Sequence, residues 1–228
     1  MELSLGEVAQ VLGTAVATPD RIARGYSIDS RTLIEGDLFF AIRGPRFDGH
    51  DFVSQALTRR AAGAVVGDDF FQASPDPLRP FLLPVADTTR ALQQLSQAVR
   101  KRWGKPLVAV TGSAGKSTTK EMTAAILGRR YSVLKSQGNL NNHFGLPLTL
   151  LAIEAQHDVA VAELAMSAAG EIALLARLAA PDIGVVTNVA AVHLEFFDSV
   201  DSIALAKREL IQHLPSGATA VLSFDDPR

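Results

Sequence analysis

The chain has 228 residues, enough for one large domain or two modest ones at roughly 100–200 residues each. A hydrophobic fraction of 47% with 20% charged residues supports a packed core and excludes disorder as the main state. With 22 basic and 24 acidic residues there is no broad basic face for duplex nucleic acid, and the absence of cysteine excludes disulfide scaffolds, zinc–cysteine sites and thiol nucleophiles.

The first residues, MELSLGEVAQVLG, carry two acids and no basic stretch, unlike a secretory signal. No apolar run approaches the ~18–20 residues that span a bilayer. The expectation is a soluble, cytoplasmic protein without membrane insertion. Ser4 to Glu7 has capping-box spacing, and Leu5, Val8, Val11 and Leu12 follow on one helical face. Tyr26–Ser30 and Leu38–Ile42 read as short strands. Asp51 is placed to cap a helix whose inner face is Phe52, Val53, Ala56 and Leu57. Ala64–Val66 and Phe81–Leu83 read as buried strands, and 68–80, with DD, SPDP and RP, reads as a loop. Asp87 opens a helix with Ala91, Leu92, Leu95, Ala98 and Val99 inside. The pattern breaks at KRWGKP (101–106), as linkers do. The expected organisation is a first domain over 1–85, a connecting helix over 86–104 and a second domain over 105–228.

The second part alternates strand and helix: Leu107–Thr111, then Lys116–Leu127; Val159–Leu164, then Glu171–Leu178; Ile183–Thr187, then Ser202–Leu214; and last Ala218–Leu222. Continuous apolar runs of this kind predict a parallel sheet covered on both faces. Ligands of such sheets sit beyond the carboxyl ends of the strands, where Thr111, Glu163, Thr187 and Asn188 fall.

Thr111-Gly112-Ser113-Ala114-Gly115-Lys116-Ser117-Thr118 stands between a strand and a helix. Glycines let backbone N–H groups turn inward around phosphate oxygens, and the helix N-terminus adds partial positive charge. Lys116 supplies a full charge to the terminal phosphates, and the Ser117 hydroxyl is a Mg2+ ligand by type. The standard motif is Gly, four residues, then Gly-Lys. Val110 stands where the first Gly belongs, so the loop is a short form. The alternative is a plain strand–helix turn with a solvated lysine.

Glu163 ends an apolar strand, where a carboxylate is costly unless paired with a cation or metal-bound. His193 lies in the loop after the third strand, placed either as a ligand at the sheet edge or as an ordinary satisfied histidine. Lys207 falls on the inward stripe of Ile203, Ala206, Leu210, Ile211 and Leu214. It reads either as a lysine snorkelling at the stripe edge or as an amine whose burial lowers its pKa enough to react with CO2.

These residues resemble the Mur ligases of peptidoglycan synthesis. The resemblance rests on SIDSRTLIEGDLFFAIRGPRFDGHDF (27–52), VTGSAGKSTTKEM (110–122), GNLNNHFGLPLTLL (138–151), ELAMSAAGEI (163–172), TNVAAVHLEFF (187–197), AKREL (206–210) and DDP (225–227). It implies an α/β chain: a small N-terminal α/β domain that binds a uridine diphosphate substrate, then a mostly parallel P-loop-type ATP-binding domain. The reaction implied is ATP-dependent amide ligation through an acyl phosphate, with ATP and Mg2+ as cofactors. The sequence looks most like the members that join D-Ala-D-Ala to a UDP-N-acetylmuramoyl-tripeptide. The rival readings are third-residue addition and a non-catalytic ATP- or UDP-sugar-binding module. No nucleic-acid partner is implied, and a monomer is expected.

Residue by residue, the resemblance puts 111–118 and Lys116 on the phosphates, with Ser117 and Glu163 on one Mg2+. His193 and a carbamylated Lys207 would share a second Mg2+ with Glu163. Asn142 would lie near the phosphates and metal, Asn188 near the adenine, and Ser30, Arg31, Asp48 and His50 in the uridine diphosphate region. Ala165 and Ser167 depart from the family pattern of Gly and Asn, and Ser113-Ala114 from Ser-Ser. The family carries a third, C-terminal domain, so the expectation is a shortened central domain that does not turn over alone.

Overall fold

The computed structural model describes residues 1–191 and 197–226. The chain divides into two compact units, Met1–Val99 and Arg100–Arg228.

In the first unit β1 (Leu3–Ser4) leads directly into α1 (Leu5–Leu12). The predicted capping box is present: Glu7 N–H donates to Ser4 Oγ at 3.1 Å, and Ser4 N–H to the Glu7 carboxylate at 2.9 Å. β2 (Ile22–Ala23) pairs antiparallel with β1. A four-stranded parallel sheet follows, built from β3 (Gly25–Ser27), β4 (Asp37–Phe40), β5 (Gly63–Gly67) and β6 (Leu82–Val85), in that spatial order. α2 (Val53–Thr58), α3 (Asp68–Ala73) and α4 (Thr88–Trp103) complete the set, and the division between the units falls inside α4. Phe39, Ala41, Ala64, Val66 and Leu82 form one apolar cluster with Val53 and Ala56 of α2. Asp87 caps α4 through the Thr89 and Arg90 amides at 2.8 and 3.0 Å.

Three local expectations are corrected here. The stretch 68–80 is not all loop: its acids, Asp68 and Asp69, open α3, where the helix dipole favours them, and Phe70 and Phe71 anchor the helix on the core cluster. Asp51 caps nothing. A 3-10 turn over Gly49–Phe52 precedes α2, and Asp48 caps it by accepting the His50 N–H, while Phe52 stays exposed. The strand expected over 26–30 stops at Ser27, whose hydroxyl turns to the Asp29 backbone.

The second unit carries β7 (Leu107–Thr111), α5 (Lys116–Leu127), β8 (Val133–Lys135), α6 (Gly145–Leu151), β9 (Val159–Glu163), α7 (Glu171–Ala179), β10 (Ile183–Val186), α8 (Val200–Gln212) and β11 (Thr219–Leu222). All pairings are parallel, in the order β11-β10-β7-β9-β8. β7 is followed by β8 on one side of the sheet and β10 by β11 on the other, so a topological switch lies between β7 and β10. Val108, Val110 and Val161 pack with Ala124 of α5 on one face. Over the other, α8 and the residues after it lie against Gly184, where a Cβ would meet the Leu214 and Leu210 side chains at 3.0 and 3.3 Å, so glycine lets them approach without displacement. The sheet is not covered throughout: every residue of β11 is exposed, despite the apolar composition that suggested burial. Among the described residues no helix is long and apolar enough to cross a membrane.

Candidate functional site

β7 is buried along its whole length and delivers Thr111 to the carboxyl edge of the sheet. The turn that follows is braced from the segment after β10. Ser113 N–H donates to the Asn188 carbonyl at 3.0 Å, Ala114 N–H to Asn188 Oδ1 at 2.9 Å, and the Thr187 hydroxyl to the Ala114 carbonyl at 2.6 Å. Ser113 Oγ donates to the Ala190 carbonyl at 3.0 Å and accepts its N–H at 2.8 Å. Gly112 has φ +150°, and a Cβ there would lie 1.9 Å from Thr187 Oγ1. Lys116 opens α5 and folds over its own loop, donating to the Gly112 and Ser113 carbonyls at 2.9 and 3.4 Å. The first N–H groups of α5 have no partner within the helix and point at whatever anion occupies the turn.

Glu163 ends β9 and is 3% exposed. The Ser117 hydroxyl donates to its Oε2 at 2.8 Å, Asn141 Nδ2 donates to its Oε1 at 2.9 Å, and its own N–H donates to Ser136 Oγ at 2.9 Å. Among the described residues these hydrogen bonds are its side-chain partners, and no Lys or Arg forms an ion pair with it. Thr111 Oγ1 is buried at the end of β7 without a hydrogen-bond partner among the described residues. A buried carboxylate and a hydroxyl 2.8 Å apart at the foot of a phosphate-type loop form the hard oxygen pair that Mg2+ prefers, so the residues present fit that ion. Among the described residues no cluster of three His, Asp or Glu side chains forms a metal cage.

Lys207 is 2% exposed on the inner face of α8, with no hydrogen-bond or ion-pair partner among the described residues. Burial, with a smaller contribution from the charge of Lys116, pushes its amine down from 10.5 to about 8. It is therefore not a lysine with its amine in water. His193, expected as a metal ligand, lies outside the described residues.

The other expected residues make the following contacts within the chain. Asn142 Oδ1 is occupied at the start of α6, accepting the Phe144 and Gly145 amides at 3.1 and 2.9 Å, while its neighbour Asn141 reaches Glu163. In the first unit Ser30 is buried and donates to Gln55 Oε1 at 2.7 Å. Arg31 is exposed and pairs with Asp29, whose carboxyl the Arg31 hydrogen bonds lower to about 2. His50 is 6% exposed, with both ring nitrogens used: Nδ1 meets Asp48 Oδ1 at 2.5 Å, and Nε2 accepts the Gly67 N–H at 2.8 Å. Burial opposes ionisation of Asp48, but hydrogen bonds from His50 and Arg43 outweigh it and hold the carboxyl below its ordinary value.

Sequence reasoning did not single out Ser136, Asn141 or Lys120. Asn141 stands beside a residue that was named, and only the paired Asn-Asn could have flagged it; Ser136 carries no local signal.

Residues 110–228, more than half of the chain, match the Mur ligase middle domain, and residues 23–131 match the Mur ligase family catalytic domain. The UDP-N-acetylmuramoyl-tripeptide–D-alanyl-D-alanine ligase of Synechocystis sp. is 41% identical over 99% of this chain and 50% of its own length. The Bacillus subtilis ligase of the same name is 42% identical over 96% of this chain and 48% of its own. A crystal structure of MurF from Acinetobacter baumannii superposes with TM-score 0.90 at 32% identity, covering 100% of this chain and 50% of that one. The Thermotoga maritima MurF ligase in complex with ADP gives TM-score 0.80 at 37% identity, over 90% of this chain and 47% of that one. The chain thus spans about half the length of the curated relatives it matches. With the middle-domain match covering more than half of its residues, the chain belongs to the Mur ligase family.

Proposed function

We propose that these residues form the uridine-nucleotide-binding and ATP-binding parts of an ATP-dependent ligase that joins D-alanyl-D-alanine to a UDP-N-acetylmuramoyl-tripeptide, as a cytoplasmic monomer. The observation that carries the reading is the Ser117–Glu163 pair, 2.8 Å apart beside the Lys116 loop. The names of the Synechocystis and B. subtilis relatives support the dipeptide as the incoming component rather than a single third residue.

In this reading the segment 1–85 holds the uridine diphosphate end, and 105–228 holds ATP. The first amides of α5 bind the phosphates. Lys116 exchanges the Gly112 and Ser113 carbonyls for phosphate oxygens. Ser117 and Glu163 would hold one Mg2+, and His193 and a carbamylated Lys207 would join Glu163 in holding a second; the ions would supply neutralisation of charge on the transferring phosphoryl group. Burial keeps part of the Lys207 amine neutral, the form that adds CO2. Asn188, whose carbonyl and Oδ1 brace the loop, keeps its Nδ2 group for the nucleotide. His50 acts by shaping the 43–50 loop and Ser30 by holding Gln55 of α2, and Arg31 and Asp48 offer charge to the uridine diphosphate end.

Titration calorimetry of this chain with ADP, with and without Mg2+, tests the reading. ADP binding strengthened by Mg2+, abolished in Lys116→Ala and made insensitive to Mg2+ in Glu163→Gln, is the expected result. A folded chain that binds neither ADP nor ATP in the presence of Mg2+ refutes it.

A further inference from the structure

Lys120 is a charged side chain the proposed chemistry does not use, yet it is 2% exposed. A helical lysine ordinarily sends its amine to solvent. This one turns inward: its Nζ donates to the Ser136 carbonyl at 2.8 Å and lies 3.2 Å from the Glu121 carboxylate, which Lys135 also contacts. Ser136 is 1% exposed and is the junction of the arrangement. Its N–H donates to the Val161 carbonyl at 3.1 Å, and its hydroxyl accepts the Glu163 N–H at 2.9 Å. Five residues further along, Asn141 meets Glu163 again, donating from Nδ2 to its carboxylate, and the Asn141 carbonyl accepts the Ala165 N–H at 2.9 Å. Segment 136–141 therefore clasps the end of β9 from both ends.

Ser117 and Lys120 are three residues apart on α5 and share a face. One touches Glu163 directly, and the other reaches it through Ser136. We infer that Lys120 is a positioning residue for the divalent cation: by tying α5 to Ser136 it sets the spacing between the Ser117 hydroxyl and the Glu163 carboxylate. The inference rests on the proposed function, because it assumes that this pair receives the cation. Groups that hold a metal ligand in place typically cost 10- to 100-fold in metal affinity when removed.

The test measures the Mg2+-dependent gain in ADP affinity, the ratio of Kd without and with Mg2+, for the parent chain, Lys120→Met and Ser136→Ala. Lys120→Met keeps the stem and deletes the donor, so metal-free ADP affinity is expected to stay within about twofold of the parent while the Mg2+ gain falls about tenfold or more. Ser136→Ala, which leaves the Lys120 contact intact and removes the link to Glu163, is expected to lose the same gain, and it decides the matter if Lys120→Met does not fold. A full Mg2+ gain in either folded variant overturns the inference and leaves the function untouched. A parent chain with no Mg2+ gain refutes the cation site itself, and the inference with it.

Discussion

Glu209 of α8 caps the start of α7: its carboxylate accepts the Gly170 N–H at 2.7 Å and the Ala173 N–H at 2.9 Å. The segment 165–170 just before α7 begins at Asn141, through the Ala165 amide, and ends at this cap. Two amides that α7 cannot satisfy internally thus receive a charged acceptor at the positive end of the helix. Glu209→Ala is expected to lower unfolding stability by about 1–2 kcal/mol, and Glu209→Gln by less, because the amide oxygen still accepts one bond. Urea midpoints at constant slope measure both. Equal losses would assign the effect to packing rather than to the cap.

Gly112 has no room for a side chain. Its φ of +150° disfavours any L residue, and a Cβ would sit 1.9 Å from the Thr187 hydroxyl that holds the Ala114 carbonyl. Gly112→Ala is expected to cost about 1–3 kcal/mol in stability and to abolish ADP binding, since the loop opens. Adding Thr187→Ala removes the 1.9 Å clash but leaves the backbone strain and deletes the brace, so the double variant is expected to regain part of the stability without regaining binding. Chemical denaturation beside calorimetry separates the two. Recovery of binding would show that the Thr187 contact is dispensable.

The strands that carry the site are legible in the sequence because their burial is local. Leu107–Thr111 and Val159–Glu163 are unbroken apolar runs, and Gly112, Gly115 and Lys116 punctuate the first at its end. What escapes is set by long-range pairing. Ser136 and Asn141 matter only through Glu163, more than twenty residues away, and no periodicity reports such a contact. α6 is hidden by Gly145 and Pro147, although Pro in a first turn forfeits no helical hydrogen bond. α3 looks like a loop because its acids and the nearby prolines outweigh Phe70 and Phe71, which the core cluster holds. β11 has the composition of a buried strand and the exposure of a surface one, since composition alone does not say whether a helix covers it.

His50 is fixed in one tautomer. The Gly67 N–H can only donate, so Nε2 accepts at 2.8 Å, and Nδ1 carries the proton that faces Asp48. Nitrogen-detected NMR of the neutral ring is expected to show the proton on Nδ1; an Nε2–H form would contradict the geometry. His50→Ala strands a buried amide and takes the ring partner from Asp48, which keeps Arg43 and the backbone N–H of residue 50, and is expected to cost about 2–3 kcal/mol. If the 43–50 loop serves the uridine end, the variant also weakens UDP binding while leaving ADP binding in the second unit unchanged.

Lys207 gives the sharpest dependence on pH. Burial first, and the Lys116 charge second, lower its amine from 10.5 to about 8, so the folded chain holds this proton less tightly than the unfolded chain does. Between about 8 and 10.5 the unfolded state binds more protons, and stability rises with pH through that window. Below about 8 both states are protonated, and the full penalty of the buried ammonium is present. Lys207→Met is therefore expected to be more stable than the parent at neutral pH, with the difference closing as pH rises to 10.5. Denaturation of both chains across this range, without bicarbonate, measures it, and parallel curves would sink the argument. Bicarbonate adds a second readout. A carbamate replaces the buried cation with an anion facing Lys116, so native mass spectrometry of the parent is expected to show one added CO2 that Lys207→Met lacks. Lys207→Met is further expected to lose Mg2+-dependent ADP binding; a more stable variant that loses that binding would show the lysine to be held there for chemistry rather than for packing.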